Sequence, residues 1–288
     1  LYLPRRARGG ELMRPAPRAQ FAKHLLAAGA CCLILAPFLW MLSTSLKDPA
    51  EIALREPTIW PRSFAIENYS EVFSRGQFGR YFVNSIIVSL ATTVLSVAIA
   101  TLSGYAFARF RLPGGKGLLF GILATQMFPA ILLAIPLYIL IRNLGLLNSL
   151  AGLILVYTTF ALPFSVWMLR NYFLTIPRDL DESALIDGAT RLQALRTVVL
   201  PVALPGIAAT ALFSFILSWN EFLYANTFIS SSDRRTLSVG LQSLIGEFTT
   251  DWGLLMAGAV VTTVPIVVAF FFLQRHLTQG LAAGAVKG

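Results

Sequence analysis

Ile176-Pro-Arg-Asp-Leu-Asp-Glu-Ser-Ala-Leu-Ile-Asp-Gly-Ala-Thr190, continued by Arg191-Leu-Gln-Ala-Leu-Arg-Thr-Val-Val-Leu-Pro201 and on to Pro205, joins two long apolar runs. Local chemistry reads this stretch, over about 174–203, as a helical elbow. Asp179 with Glu182 three residues on has the spacing of a capping box and starts a helix. Gly188 can take positive φ and ends it. Thr190 with Gln193 makes a second capping box, after which Leu192, Leu195 and Val199 line one face of a second helix. Pro201 is expected to stop that helix. Such an elbow is a rigid knob that can fit a cleft in a partner, with the carboxylates of Glu182 and Asp187 meeting basic groups or helix N-termini. Alternatively, Glu182 serves only its own helix while the elbow rests on lipid headgroups, and local chemistry alone favours that reading.

Outward from the elbow the chain is apolar. Of 288 residues, 56% are hydrophobic and 13% charged, and mean hydropathy is +0.69. Soluble domains carry about 25% charged residues, so a soluble globular protein and a disordered one are both disfavoured. Six stretches are long and apolar enough for the roughly 20 residues that a bilayer core demands: 25–46, 81–108, 117–141, 150–169, 202–224 and 253–273. No charge lies in the middle of any of them. The first is too long for a secretory signal, and no small-residue cleavage site follows it, so it is expected to be a retained span. Residues 1–20 are Arg-rich with Pro4, Pro15 and Pro17, and are expected to form a disordered cytoplasmic tail in which Met13 is an alternative start to Leu1. Residues 21–288 form the six-span domain. Pro37, Pro129, Pro136, Pro163 and Pro265 fall within the apolar stretches, where neighbouring helices or water satisfy the freed carbonyls.

With the N-terminus inside, the inner segments 1–24, 109–116, 170–201 and 274–288 hold 15 of the 23 Lys and Arg residues, and the outer segments hold 8. The positive-inside rule therefore favours both termini in the cytoplasm. The net charge of +9 reads as basic loops beside an anionic leaflet, not as a nucleic-acid surface. Cys31 and Cys32 are adjacent in an apolar run and imply no disulfide framework. His24 and His276 stand outside any cluster, so no metal site is expected.

The elbow sequence Glu182-Ser-Ala-Leu-Ile-Asp187-Gly188-Ala189, with Leu200-Pro201 downstream, resembles the "EAA" loop of ABC importer membrane subunits. It departs at Ser183, where Ala is usual, and at Leu195, where an aromatic is common. Glu67-Asn68-Tyr69, Asn84-Ser85, Trp219-Asn220-Glu221 and the tail Gly280-Leu-Ala-Ala-Gly-Ala-Val-Lys-Gly288 are similar to the carbohydrate-type branch, in particular to the smaller six-span subunit of maltose-type importers. The resemblance implies an all-α membrane protein of the ABC type I importer kind in a bacterial cytoplasmic membrane. It also implies partners: a second homologous permease subunit, two cytoplasmic ATPase subunits that bind ATP and Mg, and an extracytoplasmic sugar-binding protein. Glu182, Ser183, Ala184, Asp187, Gly188 and Ala189 would form the ATPase-docking turn. Within the tail 275–288, residues 280–288 would make a second contact, and the loop 228–252 would face the binding protein. The implied cargo is a di- or oligosaccharide, with glycerol phosphate or another polar solute as the alternative.

The residues agree with that division of labour. No G-x-x-x-x-G-K-[ST] loop is present, and Gly114-Gly115-Lys116-Gly117 reads as a turn-like hinge, so ATP binding is expected to belong to another polypeptide. H-E-x-x-H and G-x-S-x-G are absent, and no catalytic residue or bound cofactor is expected in this chain. An ion-coupled secondary transporter is the rival from another class, but such coupling usually leaves ionisable groups inside the membrane. For a sugar path, Asn84, Ser85, Gln126, Asn220 and Glu221 are the candidates, with the hydroxyl stripe Ser85, Ser89, Thr92, Ser96 and Ser103 beside them. Close helix packing explains the stripe better.

Overall fold

The structure is a computed structural model that describes residues 17–74, 77–246 and 249–285. Every regular element among the described residues is helical. The spans are α1 (Pro17–Ser45), α4 (Phe78–Arg109), α7 (Leu150–Thr175), α10 (Leu200–Trp219) and α13 (Trp252–Ala285), together with the pair α5 (Gly115–Ala124) and α6 (Ala130–Asn143). Between them lie α2 (Pro49–Ile52), α3 (Glu67–Ser74), α8 (Asp179–Ile186), α9 (Arg191–Ala194), α11 (Leu223–Phe228) and α12 (Leu237–Gln242).

Three boundaries differ from the sequence-based expectation. Residues 1–16 of the expected tail lie outside the described residues, but α1 already begins at Pro17, because a first-turn proline loses no helical hydrogen bond and has a suitable φ. The last span runs on as helix to Ala285, through most of the expected tail 275–288, whose last three residues are outside the description. The third span is not one helix. A 3₁₀ turn at Thr125–Met127 and the pair Phe128-Pro129 break it, and α5 and α6 meet at 101°. Pro129 forces the residue before it out of the helical region, and Phe128 accordingly has ψ 125°. Pro37, Pro136, Pro163 and Pro265 sit inside helices without breaking them.

The core is the meeting of α4, α7 and α10. Small residues permit close crossings here. A Cβ at Gly104 would lie 3.0 Å from the Arg170 amide nitrogen, and one at Gly206 would enter the ring of Tyr172 at 2.4 Å. The hydroxyl stripe of α4 faces this packing: Ser89, Thr92 and Ser96 are fully buried. Ser165 and Ser214 pair across α7 and α10 at 3.2 Å. On the elbow side, Tyr105, Leu169 and Phe173 pack with Leu195, Val199 and Ala203. At the opposite end, Phe78, Tyr81, Trp219, Leu237 and Leu254 form a second cluster. α1 packs chiefly on α13, and no residue of its most apolar stretch is buried, which leaves that surface for lipid or another chain.

The segment after α1 is pinned by polar contacts. Glu51 accepts from the Thr58 hydroxyl at 2.5 Å and from the Arg62 amide. The Thr58 bond chiefly holds the Glu51 carboxyl below its ordinary pKa, against the opposing effect of burial. Lys47 Nζ donates to the Thr58 carbonyl and lies 4.6 Å over the Trp40 ring.

Candidate partner-docking site

The elbow is present, and its geometry explains its rigidity. Asp179 is the first residue inside α8, not its cap, and Arg178 in the capping position makes no side-chain capping bond to the helix. The expected first capping box is therefore not formed. Asp179, Asp181 and Glu182 instead occupy the first turn, where carboxylates are favoured by the helix dipole. The far end is a full Schellman closure. Gly188 has φ +84°, its amide donates to the Leu185 carbonyl at 3.1 Å, and the Ala189 amide donates to the Ala184 carbonyl at 3.0 Å. The second capping box is formed as expected, with Thr190 N to Gln193 Oε1 at 2.7 Å and Gln193 N to Thr190 Oγ1 at 3.3 Å.

Pro201 does not stop the second helix. Residues Leu195–Val199 form a π turn that carries α9 into α10 without interruption. A wider turn relieves the clash between a proline ring and the preceding turn, and it tolerates the missing N–H. The elbow's second arm and span five are thus one continuous helix. Leu195 and Val199 are buried in the core, whereas Leu192 turns outward and is 66% exposed. The three do not share one buried face: Leu195 and Val199, at the two ends of the π turn, point into the core, and Leu192, before it, does not.

Two residues outside the motif fix the elbow to the bundle. Asp181 is 3% exposed. Its Oδ2 lies 2.7 Å from Arg109 Nε at the end of α4, and its Oδ1 accepts from the Tyr105 hydroxyl at 2.6 Å. Arg109 also donates to the carbonyls of Phe173 and Ile176 at 3.0 and 3.1 Å. Arg178 reaches the Ala108 carbonyl at 3.3 Å. A buried charge pair survives only when its remaining hydrogen-bonding groups are also matched, and here they are. Sequence reading passes over Asp181 because it looks like one more first-turn acid. An arginine at the elbow end of span two was the available signal for a buried partner.

Of the expected docking residues, Glu182, Ser183, Asp187 and Gly188 are exposed, Ala189 is half-buried and Ala184 is buried. Ser183 Oγ is turned to the Asp179 carbonyl at 2.7 Å. Ile186, not anticipated, is 85% exposed. The elbow therefore presents one large aliphatic side chain between two carboxylates, at the end of a clamped helix.

The expected path residues all make hydrogen bonds within the chain. Asn84 Nδ2 donates to the carbonyls of Asp233 and Arg235 at 3.0 and 2.9 Å. Ser85 Oγ accepts from the Leu237 amide at 2.7 Å. Both are buried and hold the segment before α12. Glu221 caps α11 by accepting from the amides of Tyr224 and Ala225. Asn220 bonds the Ile216 carbonyl of its own helix. Gln126, at the break of the third span, donates to the Phe160 carbonyl at 2.7 Å and remains exposed. Each of the five is thus engaged with protein atoms.

Residues 96–283 match the family described as "Binding-protein-dependent transport system inner membrane component". The chain is 40% identical over 254 residues to the sulfoquinovosyl glycerol transport system permease protein SmoH of Agrobacterium fabrum, covering 88% of this chain and 89% of that one. It is 38% identical over 256 residues to the trehalose transport system permease protein SugB of Mycobacterium tuberculosis, covering 88% and 93%. In fold it is similar to a chain of a bacterial ABC transporter involved in the import of the acidic polysaccharide alginate, with a TM-score of 0.77 over 91% of this chain and 97% of that one at 24% identity. With its apolar helices, clamped elbow and these relatives together, the chain belongs to the binding-protein-dependent transport system inner membrane components, the membrane-spanning permease subunits of ABC transporters.

Proposed function

We propose that this chain is one of two permease subunits of a sugar importer, with both termini in the cytoplasm and the elbow docked on a separate ATPase subunit. The observation that carries the docking role is the elbow itself. It is fixed to α4 through Asp181 and Arg109, continuous with span five through the π turn, and exposed at Glu182, Ile186 and Asp187. Sugar as cargo rests on the named substrates of the relatives, sulfoquinovosyl glycerol and trehalose among them.

The mechanism follows from the connections. ATP binding and hydrolysis with Mg belong to the ATPase partners. Their closure presses on the tip around Gly188. Because α9 and α10 are continuous, the displacement is delivered to span five and, through Arg109, to span two. The two helices then move against the partner permease and alternate the access of the path. The loop 228–252, whose residues Asp233, Arg235 and Leu237 are held by Asn84 and Ser85, meets an external binding protein at the far end of the bundle.

The test is affinity purification from native membranes in mild detergent, with mass spectrometry of what accompanies the chain. Recovery of one ATPase and one related multi-span protein, with the ATPase lost on Gly188→Pro, is the expected result. Recovery of the chain alone, or an unchanged complex in the variant, would overturn the docking role.

A further inference from the structure

The hinge between spans two and three has a feature that the transport reading leaves unused. A cleft of about 450 Å³ lies where α4 ends and α5 begins, at the same end of the bundle as the elbow. Arg111, Lys116 and Arg170 line it, and no carboxylate does. Arg111 and Lys116 have no hydrogen bond or ion pair among the described residues, and Arg170 is held only by its neighbour Asn171 at 3.0 Å. A fourth cation, Arg191 of the elbow, lies 5.5 Å over the ring of Phe110, which forms another wall. The turn itself is open. Gly114 has φ +70° and caps α5 without a side-chain bond, and no atom lies within 4 Å of a Cβ placed there or at Gly117. The Gly115 amide donates to the Leu112 carbonyl at 2.9 Å, and the amides of Lys116 and Gly117 stand at the positive end of the helix dipole.

Unpaired like charges gathered on one cavity repel one another, and an anion relieves that repulsion. The site's other walls are apolar: Phe107, Phe110 and Leu119. Beyond it along α5, Leu118 and Phe120 are 58% and 71% exposed. A cationic cup at the end of two spans, opening onto an apolar helix face, matches an amphiphile with an anionic head and hydrocarbon tails. We propose that this cleft binds the headgroup of an anionic phospholipid, with Arg111, Lys116 and Arg170 around the phosphate and the acyl chains along α5. The proposal needs only that the chain spans a membrane, and so stands apart from the cargo and the docking reading. A lipid seated here would touch the hinge of the broken third span and, through Phe110 and Arg191, the elbow.

The experiment is native mass spectrometry of the detergent-purified complex, titrated with phosphatidylglycerol or phosphatidylcholine of the same chain length. Basic groups near a surface contribute about fivefold each to anionic-lipid binding, so three amount to a preference on the order of 100-fold. Wild type is expected to retain phosphatidylglycerol with that preference, and Arg111→Gln, Lys116→Gln and Arg170→Gln to remove it stepwise. Arg111→Lys should keep most of it, which separates loss of charge from misfolding. Equal retention of the two lipids by wild type would overturn the proposal. So would binding of inorganic phosphate without lipid preference, which would assign the cleft to a free anion. Loss of the ATPase from the triple variant with lipid retention unchanged would also overturn it, in favour of a protein contact.

Discussion

Arg109 Nε and Asp181 Oδ2, 72 positions apart in sequence, meet at 2.7 Å in a site where both side chains are about 95% buried. This pair joins the end of span two to the first turn of the elbow, so the knob cannot tilt without moving α4. Removing one member of a buried pair costs roughly 3–5 kcal/mol, because the other charge is left uncompensated, whereas replacing both by apolar residues of similar size is often nearly neutral. Asp181→Ala is therefore expected to lower thermal stability in detergent and to reduce sugar-stimulated ATPase activity of the reconstituted complex. The double variant Arg109→Met, Asp181→Leu should recover most of the stability. A double variant less stable than the single one would show that the pair is not the fastening.

Gly188 separates backbone demand from crowding. Its φ is +84°, yet a Cβ there would meet nothing within 4 Å. The cost of Gly188→Ala is then conformational alone, about 1–2 kcal/mol, and smaller for Gly188→Asn, whose side chain tolerates that region better. Gly188→Pro cannot adopt the angle at all and also loses the amide bond to Leu185. Transport rates should fall in the order Gly, Asn, Ala, Pro, while the amount of chain in the membrane stays constant. Ile186→Asp, at an exposed tip, should weaken ATPase recovery without affecting stability of the isolated chain. An equal loss of both would place Ile186 in folding instead of docking.

The spans and the elbow were legible because their signals are local. Long apolar runs, Gly188 and the Thr190–Gln193 capping box each act within a few residues. What stayed hidden depends on distant partners or on a competition between local rules. Asp181 resembles its neighbours until Arg109 is beside it. Pro201 is a helix stop by rule, and only the π turn before it converts the stop into a continuation. Pro129 breaks its span while Pro136, seven residues on, does not, so proline alone cannot distinguish a kink from a corner. Asn84 and Ser85 suggested a path because polar groups near a membrane invite that reading, and their actual partners are the backbone of a segment about 150 residues away.

The π turn yields a mechanical prediction. Inserting one alanine after Val199, where the π turn passes into regular α-helix, adds a residue that no wide turn absorbs. Each helical residue turns the chain by about 100°, so the elbow would be rotated by about that amount relative to span five. Leu195, now 3% exposed, would leave the core. The variant is expected to remain membrane-inserted and helical by circular dichroism but to lose coupling between ATP hydrolysis and uptake. Unchanged coupling would mean that α9 and α10 do not transmit motion as one rod.

Asn84 and Ser85 offer the sharpest contrast between a sugar path and a clamp. Asn84→Ala leaves the Asp233 and Arg235 carbonyls without their donor, and Ser85→Ala leaves the Leu237 amide without its acceptor. Each unsatisfied buried group costs about 1–3 kcal/mol. If the two residues clamp the segment before α12, either substitution should speed hydrogen exchange across residues 229–243 and weaken capture of the external binding protein. The order of preference among sugars should not change, because no sugar contact has been removed. Under a path role the outcome is reversed, with altered sugar preference and unchanged exchange. Double substitution should be less than additive if both hold one segment, since the segment is already released by the first.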